Sequence, residues 1–121
     1  MFKVEVDKAK NLVRNDLAGR VPAAEAERCL QEFRRLVPDL RPGFALLTDM
    51  SQLETMDFGC TPFIQQIMDL LNKHGIERVV RIIPDQHKDI GFSIMSLFHY
   101  RKGVRIVTCA TAEEAERVLA S

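Results

Sequence analysis

The sequence predicts an α/β fold, a mostly parallel sheet with helices on its faces. Three observations predict it. The first residues alternate apolar and charged, as a half-buried strand does; three later runs are short and apolar, as interior strands are; the stretches between them space their apolar residues at the helical period.

Phe2, Val4 and Val6 alternate with Lys3, Glu5 and Asp7, and the polar stretch Lys8 to Asn11 turns the chain into a second strand over Leu12–Val21. A hairpin of this kind is antiparallel. Pro22 suits a first helical turn because its missing N–H is unbonded there anyway, and Ala26, Leu30, Phe33 and Val37 recur at helical spacing up to Pro38. Phe44-Ala45-Leu46-Leu47, between Pro42-Gly43 and Thr48-Asp49, reads as a central strand buried on both faces.

Thr61 and Pro62 read as the N-cap and first residue of a helix whose face of Phe63, Ile64, Ile67, Met68 and Leu71 ends at Lys73-His74-Gly75. Val79-Val80-Arg81-Ile82-Ile83 is β-branched and stops at Pro84-Asp85; Val104-Arg105-Ile106-Val107 repeats the pattern after Lys102-Gly103. Ile90 to Arg101 has helical length, and Thr111-Ala112-Glu113-Glu114 is a capping box that opens a closing helix through Leu119. The order is β-β-α-β-α-β-α-β-α in one sheet, with an antiparallel N-terminal strand.

A chain of 121 residues has the size of a single domain, 1–121, able to bury one core without metals or disulfides. Seventeen basic residues balance 17 acidic ones, which leaves no global field to draw in nucleic acid. The N-terminus has no apolar signal core, no run reaches the length of a spanning helix, and Cys29, Cys60 and Cys109 lack the spacing of a zinc or redox site. The expectation is a cytoplasmic protein with reduced thiols and no cofactor.

Leu17-Ala18-Gly19-Arg20-Val21, together with the order of elements, resembles the STAS domain of anti-sigma-factor antagonists and sulfate transporters. The resemblance is carried most by Leu46-Leu47-Thr48-Asp49, by Met56-Asp57-Phe58-Gly59-Cys60, and by the helix that follows up to Gly75 before the strand at Val79. It implies a STAS-like (SpoIIAA-like) fold and a regulatory module that binds a protein partner through the loop 57–61 and the helices 61–74 and 90–101. In signalling members the loop carries Asp-Ser-Ser-Gly or similar and its first Ser is phosphorylated. Aligning Asp57 with that Asp puts Phe58, which has no hydroxyl, at the acceptor position; only a shifted alignment makes Thr61 its substitute. The divergent loop looks closer to the SpoIIAA-like branch of small standalone proteins.

The candidate binding residues are accordingly Asp57, Phe58, Gly59, Cys60 and Thr61 in the loop, with Phe92, Met95 and Tyr100 on the helix over 90–101. In that helix Ile94, Leu97 and Phe98 suffice for a core face, which leaves the other three as an apolar surplus. The surplus fits a homodimer interface, a protein-docking surface, one wall of a pocket for a lipophilic small molecule, or burial by the closing helix or the loop at Pro84 to Asp89. Lys88 and Arg101-Lys102 bracket the same helix, a weaker argument for peripheral contact with an anionic membrane.

No catalytic set stands out. Cys60 precedes a helix start, where free amides favour a thiolate, but a lone Cys is usually an ordinary small residue. Asp49 and Asp57 fall near the carboxyl edge of the sheet, where paired carboxylates can share a proton, although capping and turns are the commoner use of Asp. Thr48-Asp49-Met50 is similar to the phospho-acceptor strand end of receiver domains, but the acidic pair after the first strand is missing. His74, His87 and His99 have no ligand spacing, and no GxSxG, GxGxxG or phosphate loop is present.

Overall fold

The computed structural model describes residues 1–83, 100 and 103–121. Strands β1 (Phe2–Asp7) and β2 (Leu12–Val21) form the expected antiparallel hairpin, with Phe2 opposite Leu17 and Asp7 opposite Leu12. The remaining pairings are parallel: β2 with β3 (Ala45–Met56), β3 with β4 (Arg78–Ile82), and β4 with β5 (Arg105–Cys109). Spatial order follows chain order, β1-β2-β3-β4-β5. The described helices are α1 (Ala23–Leu36), α2 (Thr61–His74) and α3 (Ala112–Ala120), each in its predicted place. The helix predicted over 90–101, with Phe92 and Met95, lies outside the described residues apart from Tyr100.

Helices α1 and α2 cover one face of the sheet. Cys29 and Phe33 of α1 and Leu71 of α2 pack with Val13 and Leu46 in one cluster; Ala26 and Ile64 pack with Leu17, Met50 and Leu53 in a second. Helix α2 stops at Gly75, whose φ of 93° lets its N–H reach Asn72 O and the Ile76 N–H reach Leu71 O, and a β-carbon there would press on Pro42 at 3.0 Å.

Helix α3 covers the opposite face, where Ala115 packs with Leu12, Leu47, Val80, Ile82 and Cys109. Its ends are held separately. Thr111 Oγ1 accepts from the Glu114 N–H at 3.2 Å, half of the predicted capping box, while the Glu114 carboxylate takes the N–H of Ala110, one residue before the cap, at 2.9 Å. At the other end the Arg78 guanidinium donates to the Val118 and Leu119 carbonyls at 3.1 and 3.4 Å, and the Val118 carbonyl also accepts from the Ser121 hydroxyl at 2.7 Å.

Strand β3 is three times as long as the apolar run that predicts it. The register with β2 slips between the pairs Asp16–Asp49 and Ala18–Gln52, and again between Gly19–Leu53 and Arg20–Thr55, so β3 holds an extra residue at each place. Each bulge restores the inward face after three residues instead of two. Met50, Leu53 and Met56 therefore all point into the α1–α2 core. At the first bulge the Asp49 carboxylate accepts the Ser51 N–H at 2.9 Å, a local turn bond of the kind Asp commonly makes.

Candidate functional site

The site predicted from the sequence is the segment where β3 runs out and α2 begins. Asp57 leaves the sheet with its N–H on Val21 O at 3.0 Å; Phe58–Cys60 then form one 3-10 turn that passes directly into α2. Because Cys60 is already helical in backbone angle, Thr61 is the first helical residue and not the N-cap, and no side chain caps this end. The expectation of a Thr61 cap is corrected by that turn.

Three contacts fix the loop to the end of β2 and the start of α1. The Asp57 carboxylate sits on the Arg20 guanidinium as a two-point fork, 3.3 Å from Nε and 3.1 Å from Nη2. This geometry is directional as well as ionic and holds the Arg20 pKa above its ordinary value, through the hydrogen bond first and the charge second. The Cys60 thiol, fully buried, donates to Val21 O at 3.3 Å. A β-carbon on Gly59 would stand 3.2 Å from Ala23 Cβ, so the turn lies close against α1.

With its neighbours held, Phe58 projects outward at 77% exposure, the largest exposure of any described large apolar residue. The loop thus presents an aromatic ring on a fixed base. Cys60 faces the other way: burial above all, and the Asp57 charge next, raise its thiol pKa, so the thiolate that a helix start favours is not the form this environment stabilises. Burial likewise pushes the Cys29 thiol up to about 12.

Asp49 and Asp57 do not form a carboxylate pair. Seven residues of β3 separate them, on the order of 20 Å of strand, and Asp49 stands opposite Asp16 on the α3 face. His74 is structural: Nε2 lies 3.2 Å from Leu40 O and the ring meets Phe44 edge-on. No cluster of three metal-ligating side chains occurs among the described residues. No described helix is long and apolar enough to cross a membrane.

Tyr100, the one described member of the second predicted group, is half-buried against the α1–α2 core. It lines a cavity of about 30 Å³ with Asn15, Cys29, Thr48, Ile67 and Met68. Two of its lining residues, Asn15 and Thr48, belong to a feature the sequence reading missed, a polar row running across the sheet. Asn15, Thr48, Arg81 and Thr108 stand in register on β2 to β5, all on the face that carries α1 and α2. Asn15 and Thr48 are 6% and 1% exposed. The signal was available: each of the four is a polar residue at a strand position where alternation calls for an apolar one.

No protein-family model matches the sequence, and no curated protein matches it. Solved structures do match in shape. An uncharacterised protein of the DUF3478 family from Shewanella loihica PV-4, with a SpoIIAA-like fold, superposes with a TM-score of 0.72 at 11% identity, covering 98% of this chain and 93% of that one. The anti-sigma factor antagonist SpoIIAA in its unphosphorylated form gives 0.63 at 15% identity over 100% and 99% of the two chains. The Bacillus cell fate determinant SpoIIAA in its phosphorylated form gives 0.64 at 16% over 98% and 99%. The chain therefore folds as a STAS-like domain. More narrowly, its fold is the SpoIIAA-like one, with the antiparallel first strand and a single mixed sheet as the sequence predicted.

Proposed function

We propose that this chain is a non-catalytic regulatory module, a single domain over 1–121, that docks a protein partner through the loop Asp57–Thr61 and the start of α2. The observation that carries the reading is Phe58, an aromatic side chain held out in solvent on a loop whose flanking residues are pinned. A ring presented this way loses little conformational freedom on docking, and buried aromatic anchors supply a large share of binding energy at interfaces. The SpoIIAA-like neighbours, one of them an anti-sigma factor antagonist, support the same class of activity.

Regulation differs from the Ser-based switch of the STAS signalling pattern. Phe58 takes no phosphate, so adding charge at this loop requires another residue, of which Thr61 carries the nearest hydroxyl. On this reading docking is constitutive unless that hydroxyl is modified.

The test is native mass spectrometry of the gently purified protein from its own host, alongside Phe58→Asp and the α3 surface control Glu113→Lys. A stoichiometric partner should accompany the wild type and the control, and be lost with Phe58→Asp at a cost of about 2 kcal/mol or more, roughly 30-fold in Kd. A partner retained at full occupancy by Phe58→Asp overturns the reading.

A further inference from the structure

At the end of the sheet opposite the docking loop, three strand starts stand side by side: Ala45 of β3, Arg78 of β4 and Arg105 of β5 are consecutive partners in one row. Arg78 and Arg105 line a cavity of about 240 Å³ together with Lys10 from the β1–β2 turn. A second cavity of about 320 Å³ shares Lys10, Ala45 and Arg78 with the first and continues along α3, where Leu12, Leu119 and Ala120 give it an apolar wall.

The cations are held in place without being neutralised. Arg78 gives both terminal nitrogens to neutral acceptors, the Val118 and Leu119 carbonyls, so its side chain is fixed while its charge remains. Lys10 belongs to a fastened turn: its N–H is on Asp7 Oδ1 at 3.1 Å, and the next residue, Asn11, exchanges two bonds with the Arg41 backbone at 2.9 and 3.1 Å. The Arg105 N–H is on Glu77 O at 3.0 Å. None of the three cations belongs to an ion pair among the described residues. Glu77 is the acidic side chain at the first cavity, and Glu116, at the second, is taken up by Arg14. In a chain with 17 basic and 17 acidic residues this excess of cations is local, and a concave surface lined by one sign of charge concentrates the opposite ion.

Three cations reaching one cavity from three segments suit an anion with more than one charge and with oxygens in several directions. A phosphate group has both, carrying about two negative charges near neutral pH and three strong acceptor oxygens, and guanidinium groups match those oxygens in pairs. A carboxylate has one charge in one plane and would leave part of the set unused. The apolar wall beside the cations gives the rest of the ligand a place. We infer that Lys10, Arg78 and Arg105 bind the phosphate of a small phosphate monoester, with its organic group along Leu12 and Leu119. The site and the docking loop lie at opposite ends of β3, so either can fail without the other.

NMR on the nitrogen-15-labelled protein separates the two. The protein is titrated with sodium phosphate, phenyl phosphate and sodium acetate at constant ionic strength held with chloride. Both phosphates are expected to give saturable amide shifts in residues 10–12, 43–45, 77–78 and 105, with residues 57–61 unmoved. Lys10 and Arg105 are exposed, so their substitution leaves the core intact, and the same spectra report folding. Lys10→Gln and Arg105→Gln should each weaken phosphate binding about fivefold, as loss of one exposed charge contact implies. Lys73→Gln removes an equal charge at the end of α2 and should change binding by less than about twofold, because salt screens distant charges. The proposal is overturned by the absence of saturable shifts in these residues, by acetate binding as tightly as phosphate, by failure of phenyl phosphate to bind, or by Lys73→Gln weakening binding as much as the two cleft variants.

Discussion

The two faces of the sheet are built to different standards. On one, two 14-residue helices bury Phe33, Phe44 and Leu71 completely and meet the sheet across two apolar clusters. On the other, a nine-residue helix covers the lower part of β2 to β5, and the surface beside it carries Lys3, Glu5, Arg14 and Asp16. The difference shows in the sequence. Where both faces are covered, as at Ala45–Leu47 and Val79–Val80, the strand is a continuous apolar run; where one is wet, as in β1, it alternates. The face under two helices is also the one that buries two polar side chains, Asn15 and Thr48.

The sharpest test of that contrast is a cavity in the better-built face. Phe33→Ala removes a fully buried ring from the cluster that joins α1 to the sheet, and should cost about 3–5 kcal/mol in urea denaturation. A loss no larger than that of a surface substitution would mean that the α1 side is not the principal core. On the α3 face the corresponding weak point is an end and not a centre. Thr111→Ala deletes the Oγ1 acceptor for the Glu114 N–H and should cost about 1 kcal/mol, with amide exchange accelerated first in residues 112–120. Equal exchange throughout the chain would show that α3 does not open separately.

Much of this asymmetry was legible before the structure, because period and punctuation report local geometry. The hairpin, the Pro-led start of α1, the Gly75 stop and the closing cap all follow from residues within a few positions of one another. What escaped was set by partners distant in sequence. The extension of β3 to Met56 was hidden because its two bulges change the inward spacing from two to three, a pattern that depends on register with β2. For the same reason Asp49 reads as a loop acid although it supports a bulge inside a strand. The loop Asp57–Thr61 was located from the sequence, but its fastening was not, since the Arg20 fork and the Val21 acceptor come from the far end of β2. Arg81 looked like one charge in a β-branched run, and only the pairing of three strands sets it beside Thr48 and Thr108.

Charges on the open face should contribute far less than the core opposite. Arg14 Nη1 and Glu116 Oε1 meet at 3.1 Å, tying β2 to α3, with both side chains well exposed. Glu116→Gln should therefore change stability by less than about 1 kcal/mol, and added salt should shrink even that. A larger loss in denaturation would indicate that this pair, and not apolar packing, fastens α3.

The smallest effect has a reversed sign, which makes it diagnostic. Asp16 is raised in pKa by burial first and by the facing Asp49 carboxylate second, while Arg14 and Lys3 lower it in part. Its folded-state pKa lies above the unfolded one, so the native protein holds the proton more tightly. Stability is then unpenalised below the unfolded carboxylate range, falls as pH rises through the folded pKa, and stays lower above it. Asp16→Asn removes the penalty. The variant should be more stable than the parent at neutral pH, by well under about 1 kcal/mol because solvent screens a partly exposed group, and the gain should vanish in acid below the carboxylate range. Paired urea titrations at neutral and acid pH measure the difference. A variant less stable at neutral pH would mean that Lys3 and Arg14 outweigh Asp49, and that this open face is held by its charges instead of merely tolerating them.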